Sequence, residues 1–354
     1  MIAAAQDPTT SGNGDRGARW LRVFNWVCFL VALVALGWMV RSVGFARMGE
    51  LFATLGWWFG VLLANALLVT SLDALALRRL MAPESRMVGF PRVFGAILAG
   101  QAINLVTPGG KLGEATKVTL LGRRAPRRRI ISAVVLAAVV NFLISVLVVS
   151  VGVPITAWLF DLPGELRWML YLATGITVAL ALGLVWLMRR GVLATFVSVM
   201  RRVHLISRAR RQRWRDQLRP LDAQLRLGGP ESTRGLRSGA ALLVLSRAIT
   251  WAELALLLGL LGYPDWRLWL GVVSSGMVVA WAAQVVPMGI GLAEGGAYLV
   301  FHLLGAPPAI GVGIVLVGRV RQVAMAALGL GCMLILQAID RPRRARALRP
   351  AAVT

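Results

Sequence analysis

The sequence predicts an all-α polytopic membrane protein. The prediction depends on the amino-acid composition and on the long runs of apolar residues. Of its 354 residues, 58% are hydrophobic and only 15% are charged, whereas soluble domains have about 45–50% apolar and about 25% charged residues. The mean hydropathy is +0.72. The apolar residues also form long runs, and about 20 such residues are enough for an α-helix to cross the hydrocarbon core of a bilayer.

The basic residues lie in short clusters between these apolar runs. A net charge of +24 would also suit a protein that binds nucleic acid, but the clustering is typical of cytoplasmic loops and of contact with anionic lipids. We therefore expect membrane lipids as partners and no nucleic acid. Cys28 and Cys332 lie in apolar runs and the two histidines stand alone, so no disulfide framework, metal or other cofactor is predicted.

Three segments are predicted along the chain. Residues 1–18 form a disordered cytoplasmic tail, residues 19–338 form the transmembrane domain, and residues 339–354 form a basic cytoplasmic tail. Within the domain, six apolar runs are long enough to be full spans. These spans are residues 20–40, 51–77, 130–153, 168–188, 236–262 and 309–339.

Two further apolar stretches, 93–121 and 268–304, are each interrupted by proline and glycine. The residues of the breaks are Pro108, Gly109 and Gly110 in the first stretch, and Pro287, Gly289 and Gly291 in the second. The pieces of the first stretch are too short to cross the membrane as helices. Each stretch is therefore predicted to be a re-entrant helical hairpin, with its break buried in protein or lining a wet cavity.

Charge sets the predicted topology. The arginine-rich segments 123–129 and 189–234 are expected inside, which places both termini in the cytoplasm. The two hairpins then enter from opposite faces, so the halves 20–153 and 168–338 form an inverted repeat. In transporters of that kind the substrate site lies near the midplane, at the discontinuous helices. The basic cytoplasmic segment 189–234 either lies on the inner leaflet or is a solvated helix.

The first break carries the chain's only two lysines. Lys111, Glu114 and Lys117 follow one another at three-residue intervals and would share a helix face. The amides at the start of that helix favour an anion, and a lipid phosphate is the obvious candidate. The alternative is that Glu114 pairs with a lysine for structure alone. Asn104 either forms an interhelical hydrogen bond or lines a hydrophilic cavity.

Charges inside the other apolar runs require partners. Glu294 is the only charge between Arg267 and Arg319, and we expect it to pair with Arg319. That pair either holds the second hairpin against the last span or contacts substrate. Arg247 and Glu253 are six residues apart and do not share a helix face, so each needs a partner on another helix.

Motifs of catalysis are missing from the sequence. Neither a phosphate-binding P-loop nor a helical HExxH motif occurs, and no nucleophile has a convincing base beside it. We therefore expect a protein that is not an enzyme.

With these residues in view, the chain resembles the flippase-like transmembrane domain of the lysylphosphatidylglycerol synthase family. The resemblance covers roughly residues 20–338. The positions that carry it are Leu77–Leu80, Asn104, Pro108–Gly110, Gly113, Glu114, Lys117, Pro287–Glu294, Leu304, Gly305 and Arg319. Lys111 and Lys117 stand where the family usually has arginine, which keeps the charge but loses bidentate contact with phosphate.

The resemblance implies a stand-alone member that moves a lipid between leaflets of a bacterial inner membrane. The lipid would be an anionic phospholipid or a polyprenyl- or hopanoid-type lipid. The synthases carry a soluble domain after the membrane region, whereas only the short tail 339–354 follows here, so aminoacylation is not expected. The alternatives are an integral-membrane enzyme of lipid or glycolipid synthesis, or an accessory subunit that positions a lipid-synthesis enzyme as its partner.

Overall fold

The structure, a computed structural model, describes residues 56–82, 84–106, 112–122, 124–160, 162–190, 230–283 and 291–347. The predicted first span, the N-terminal tail, the centre of each break and most of the segment 189–234 lie outside this part of the chain. Within it, the backbone is helical and contains no strand, which confirms the all-α class. The helices are α1 (Trp57–Leu80), α2 (Phe90–Val106), α3 (Leu112–Leu121), α4 (Arg127–Leu159), α5 (Gly164–Arg190), α6 (Pro230–Leu260), α7 (Trp266–Ala283), α8 (Leu292–Leu303) and α9 (Pro308–Ala347), with a short 3-10 helix at Glu84–Met87.

Five of the described helices are long and apolar enough to cross a membrane. Their spanning segments are Trp57–Leu80, Arg127–Leu159, Thr233–Leu260, Trp266–Ala283 and Pro308–Ile339. A shorter apolar stretch, Arg167–Gly183, lies in α5 where the fourth span is predicted. The chain is therefore a multi-pass membrane protein. The fourth of these segments, α7, is the first arm of the second predicted hairpin.

Helices from the two halves pack in a crossed pattern. α1 of the first half packs on α6 of the second half. α2 packs on α9, and α4 packs on α7, so the first arm of each predicted hairpin meets the last helix of the other half. Within the halves, α2 packs on α3 and α7 packs on α8.

α2 is held between α3 and α9 by close backbone contacts that only glycine permits. A Cβ on Gly113 of α3 would lie 2.0 Å from the carbonyl oxygen of Gly100. On the opposite neighbour, a Cβ on Gly329 of α9 would lie 2.3 Å from the carbonyl oxygen of Leu98. Small residues let membrane helices approach in this way, and dispersion contacts then replace the missing hydrophobic driving force.

Buried side chains form two apolar clusters. The larger one joins α1, α2, α3, the start of α4, Leu243 of α6 and the C-terminal half of α9. The smaller one joins α6, α7 and α8, and its buried members are Leu258, Leu268, Val300, Phe301, Leu304 and Ala306. These clusters fix the helices between which the polar side chains lie.

Candidate functional site

The first predicted site is built at the start of α3. Glu114 is the third residue of that helix, where a carboxylate is stabilised by the exposed amides of the first turn. Lys117 Nζ lies 2.8 Å from Glu114 Oε1, one helical turn away. Asn104 Oδ1 on α2 accepts a hydrogen bond of 2.7 Å from the amide of Gly113, and its Nδ2 donates to Glu114 Oε1 at 3.4 Å.

Asn104 therefore makes the interhelical hydrogen bond that was expected of it. The pairing of Glu114 with Lys117, which was the structural alternative to anion binding, is also present. Both side chains are partly exposed, at 32% and 15%, so the pair remains within reach of a ligand. Lys111 and the break at Pro108, Gly109 and Gly110 lie outside the described residues.

The second predicted site repeats this arrangement at the start of α8. Glu294 is again the third residue of its helix. Its Oε2 accepts a hydrogen bond of 2.9 Å from the amide of Gly291, whose φ of 82° favours glycine. Its Oε1 accepts from Arg319 Nε at 2.8 Å and lies 2.8 Å from Nη2 as well. The predicted pair of Glu294 and Arg319 is thus confirmed; Pro287 and Gly289 lie outside the described residues.

Among the described residues, the predicted site residues fall into two clusters. Asn104, Glu114 and Lys117 form one of them, and Glu294 and Arg319 form the other. Each cluster contains an ion pair, because Glu114 pairs with Lys117 and Glu294 pairs with Arg319.

A third ion pair joins α6 to α9. Glu253 Oε1 pairs with Arg321 Nη1, and its Oε2 accepts a hydrogen bond from Asn65 Nδ2 on α1. The Glu253 side chain is only 9% exposed. A buried carboxylate requires a hydrogen-bond donor or a positive charge beside it. Glu253 has both, since Asn65 donates a hydrogen bond to it and Arg321 forms the ion pair. The expectation that Glu253 finds its partner on another helix is confirmed.

A fourth ion pair joins α1 to α6. Arg247 Nη2 lies 3.0 Å from Asp73 Oδ2, and Ser246 Oγ donates to Asp73 Oδ1 at 2.7 Å. This confirms that Arg247 finds its partner on another helix. Sequence reasoning missed Asp73, although an isolated acid near the end of an apolar run is a signal of the same kind that singled out Glu294.

Two cavities meet at the pair of Glu253 and Arg321. One has a volume of about 420 Å³ and lies between α1, α2, α6 and α9. Many of its lining side chains are polar or charged: Thr70, Gln101, Asn104, Arg247, Thr250, Glu253, Arg321 and Gln322. The other has a volume of about 400 Å³ and lies between α6, α7, α8 and α9.

The second cavity is apolar. Alanine, valine, leucine and glycine supply most of its wall, and Phe301 lies at its α8 side. Thr250, Glu253 and Arg321 line both cavities and are the main polar residues of the apolar one. Such a pair of spaces matches an amphipathic molecule, with a polar part in one cavity and hydrocarbon in the other.

Arginine gives the polar cavity its capacity to bind anions. Arg247 and Arg321 both line it, and a guanidinium presents several donors in a planar fork that fits phosphate or carboxylate. Glu253 lines the same cavity, and its carboxylate can pair with a positively charged group. Among the described residues, no three His, Cys, Asp or Glu side chains gather at one place.

Sequence comparison adds one finding. Residues 25–329 match the family described as the lysylphosphatidylglycerol synthase TM region. The chain belongs to this family. No curated protein and no solved structure matches it significantly. The matched range of the lysylphosphatidylglycerol synthase TM region contains the four ion pairs described above and every residue that lines the two joined cavities. Family membership supports a role in the membrane that concerns lipids.

Proposed function

We propose that this chain moves an amphipathic lipid between the two leaflets of the membrane. The head group passes through the polar cavity while the hydrocarbon occupies the apolar one. The observation that carries the proposal is the shared border of the two cavities, which places Arg321 and Glu253 where head group and hydrocarbon would meet.

Ion-pair exchange makes this passage feasible. Removing one partner of a buried pair costs about 3–5 kcal/mol, because the remaining charge is left without compensation. A lipid phosphate that binds Arg321 replaces the carboxylate in the same step, while Glu253 keeps the hydrogen bond that Asn65 donates. The arginine fork favours phosphate in this exchange, because two parallel N–H donors match two phosphate oxygens. The guanidinium of Arg321 thus exchanges one anionic partner for another and is not left unpaired in the bilayer.

The proposed architecture is the inverted repeat expected from the sequence, with α2–α3 and α7–α8 as its two re-entrant hairpins. Two observations support it. Glu114 and Glu294 are each the third residue of the second helix in their hairpin. The crossed packing of α2 on α9 and of α4 on α7 is the contact pattern of two equivalent halves.

The proposed roles of the predicted site residues follow from their contacts. Lys111, Glu114 and Lys117 would receive the head group at one face. Glu294 and Arg319 would hold the second hairpin near the other face. The proposed setting is a bacterial inner membrane with both termini in the cytoplasm. The substrate is an anionic phospholipid or a polyprenyl- or hopanoid-type lipid, a lipid-synthesis enzyme is a proposed partner, and no chemical step is assigned to this chain.

Lipid exchange in proteoliposomes tests the proposal. The purified chain is reconstituted with a fluorescent phosphatidylglycerol, and the fraction that an impermeant quencher reaches is followed over time. We expect exchange faster than in empty liposomes and a loss of most of that excess in Arg321→Gln, because the head group then lacks its anion-binding partner.

The matched control is Arg267→Gln. Arg267 is an exposed arginine that lies over the ring of Trp266 and lines neither cavity, so this variant should exchange lipid as the parent does. Exchange no faster than in empty liposomes would refute the activity for this lipid class. Equal rates in the Arg321 and Arg267 variants would refute the assigned path.

A further inference from the structure

Among the described residues, four charged side chains line the two joined cavities or pair with a residue that lines them. Arg321 pairs with Glu253, and Arg247 pairs with Asp73. All four lie within segments that are long and apolar enough to cross the membrane. The described residues of α2, α4, α7 and α8 add no charged side chain to the cavity walls. The positive and negative charges of the empty site therefore balance.

An anionic head group disturbs this balance. In the proposed transport, on which this inference rests, a lipid phosphate takes the place of the Glu253 carboxylate on Arg321. The phosphate brings a negative charge into the site, and no positive side chain comes with it. A buried charge without compensation is costly, and a titratable group avoids that cost by becoming neutral.

Glu253 is the group of this site that can become neutral. A guanidinium stays charged in proteins, and a phosphodiester stays charged at neutral pH. Asp73 keeps Arg247, whose Nη2 lies 3.0 Å from its Oδ2. Glu253 has a side chain that is only 9% exposed, and without Arg321 it would keep only the hydrogen bond that Asn65 donates to Oε2. The polar cavity of about 420 Å³ that it lines is large enough to hold water, which can deliver a proton.

We infer that Glu253 takes up a proton from water when the phosphate of an anionic lipid binds Arg321. The proton binds Oε1, the oxygen that the guanidinium leaves, while Oε2 keeps the hydrogen bond from Asn65. When the phosphate departs, Glu253 returns the proton to water and pairs with Arg321 again. The lipid and the proton together add no net charge to the site, so the balance of the empty site is kept in the loaded one.

Calorimetry measures this proton without any assay of transport. The purified full chain in detergent is titrated with dihexanoyl-phosphatidylglycerol in two buffers of the same neutral pH and different ionisation enthalpy. The difference between the two binding enthalpies gives the number of protons taken up. We expect about one proton for each lipid bound. Because the complex then holds more protons than the free protein, binding should weaken by up to about tenfold for each unit of rise in pH.

Three variants assign the proton to its residue. Glu253→Gln imitates the neutral acid, so it should bind the lipid without proton uptake and at least as tightly as the parent, since no carboxylate competes for Arg321. Glu165→Gln is the matched control, because Glu165 is exposed at the start of α5 and lines neither cavity. His302→Gln is the control for a group that titrates near neutral pH, and His302 is likewise exposed and outside both cavity walls. Both controls should take up the proton as the parent does.

Three results would overturn the inference. They are binding without proton uptake in the parent, proton uptake that persists in a folded Glu253→Gln variant, and equal uptake with dihexanoyl-phosphatidylcholine, whose ammonium group already supplies a positive charge. The first is measured on the parent, so the test does not depend on the folding of a variant. Binding without proton uptake would leave the proposed transport standing, whereas no binding of phosphatidylglycerol would refute the head-group path and this inference with it.

Discussion

The close contact of Gly113 with α2 leads to a prediction whose size can be worked out from distances. In Gly113→Ala the new methyl group would lie 2.0 Å from Gly100 O and 2.4 Å from Asn104 Oδ1, closer than any real contact. The backbone oxygen cannot rotate away, so α2 and α3 must separate. Overpacking costs about 1–3 kcal/mol, and weakening the bond from the Gly113 amide to Asn104 adds about 0.5–1.5 kcal/mol. We expect a loss of about 2–4 kcal/mol.

Substitutions at two other glycines serve as comparisons for this loss of stability. Gly100→Ala should cost less, because its new methyl group mainly meets the Lys117 side chain, at 2.7 Å, and that side chain is flexible. Gly175→Ala on α5 is the matched control, since a Cβ there meets nothing within 4 Å. Alanine is favoured over glycine in a helix by about 1 kcal/mol, so this variant should be as stable as the parent or more so.

The assay is thermal unfolding in detergent, followed by tryptophan fluorescence and by the monodisperse fraction in size-exclusion chromatography. The melting temperature should fall in the order Gly175→Ala, Gly100→Ala, Gly113→Ala, with a loss of several degrees for the last. A melting temperature of Gly113→Ala equal to that of the parent would refute the close packing of α2 on α3.

Two further substitutions test contacts of the second half. Arg319→Gln leaves Glu294 without its main partner and should destabilise the protein by about 3–5 kcal/mol. The double variant Arg319→Gln plus Glu294→Gln, unfolded under the same conditions, should recover part of this loss. No recovery would mean that the pair is not coupled. Gly152→Ala places a methyl group 2.6 Å from Ser274 Cβ and should cost about 1–3 kcal/mol by separating α4 from α7; an unchanged melting temperature would contradict that contact.

Some ion pairs could be predicted from the sequence, because charged residues are rare in the apolar runs. Glu294 stands alone in a long apolar stretch, so Arg319 was a natural partner, and the pair is present. The same reasoning identified Arg247 and Glu253 as residues in need of partners. It did not identify Asp73 or Asn65, because the choice of partner depends on α1 packing against α6, and no local pattern states that two distant helices are neighbours.

The cavities could not be predicted from the sequence, for a related reason. The prediction centred the site on the two breaks, where proline and glycine interrupt the helices. The structure also places cavities at Glu253 and Arg321, within the continuous helices α6 and α9. A cavity depends on how side chains from four helices fail to fill the space between them, which composition and periodicity do not report. The roles predicted for Lys111 and the breaks remain predictions.

Glu114 and Glu294 differ in which helix supplies the positive charge that pairs with each of them. Glu114 is neutralised by Lys117, which belongs to the same helix, and its other partner Asn104 lies on the adjoining arm. Glu294 is neutralised by Arg319, which belongs to α9. Movement of α2 together with α3 would therefore leave the pair of Glu114 and Lys117 intact, whereas movement of α8 away from α9 would separate Glu294 from Arg319. The ion pair of Glu114 thus lies within one helix, and the ion pair of Glu294 ties α8 to the longest of the described helices.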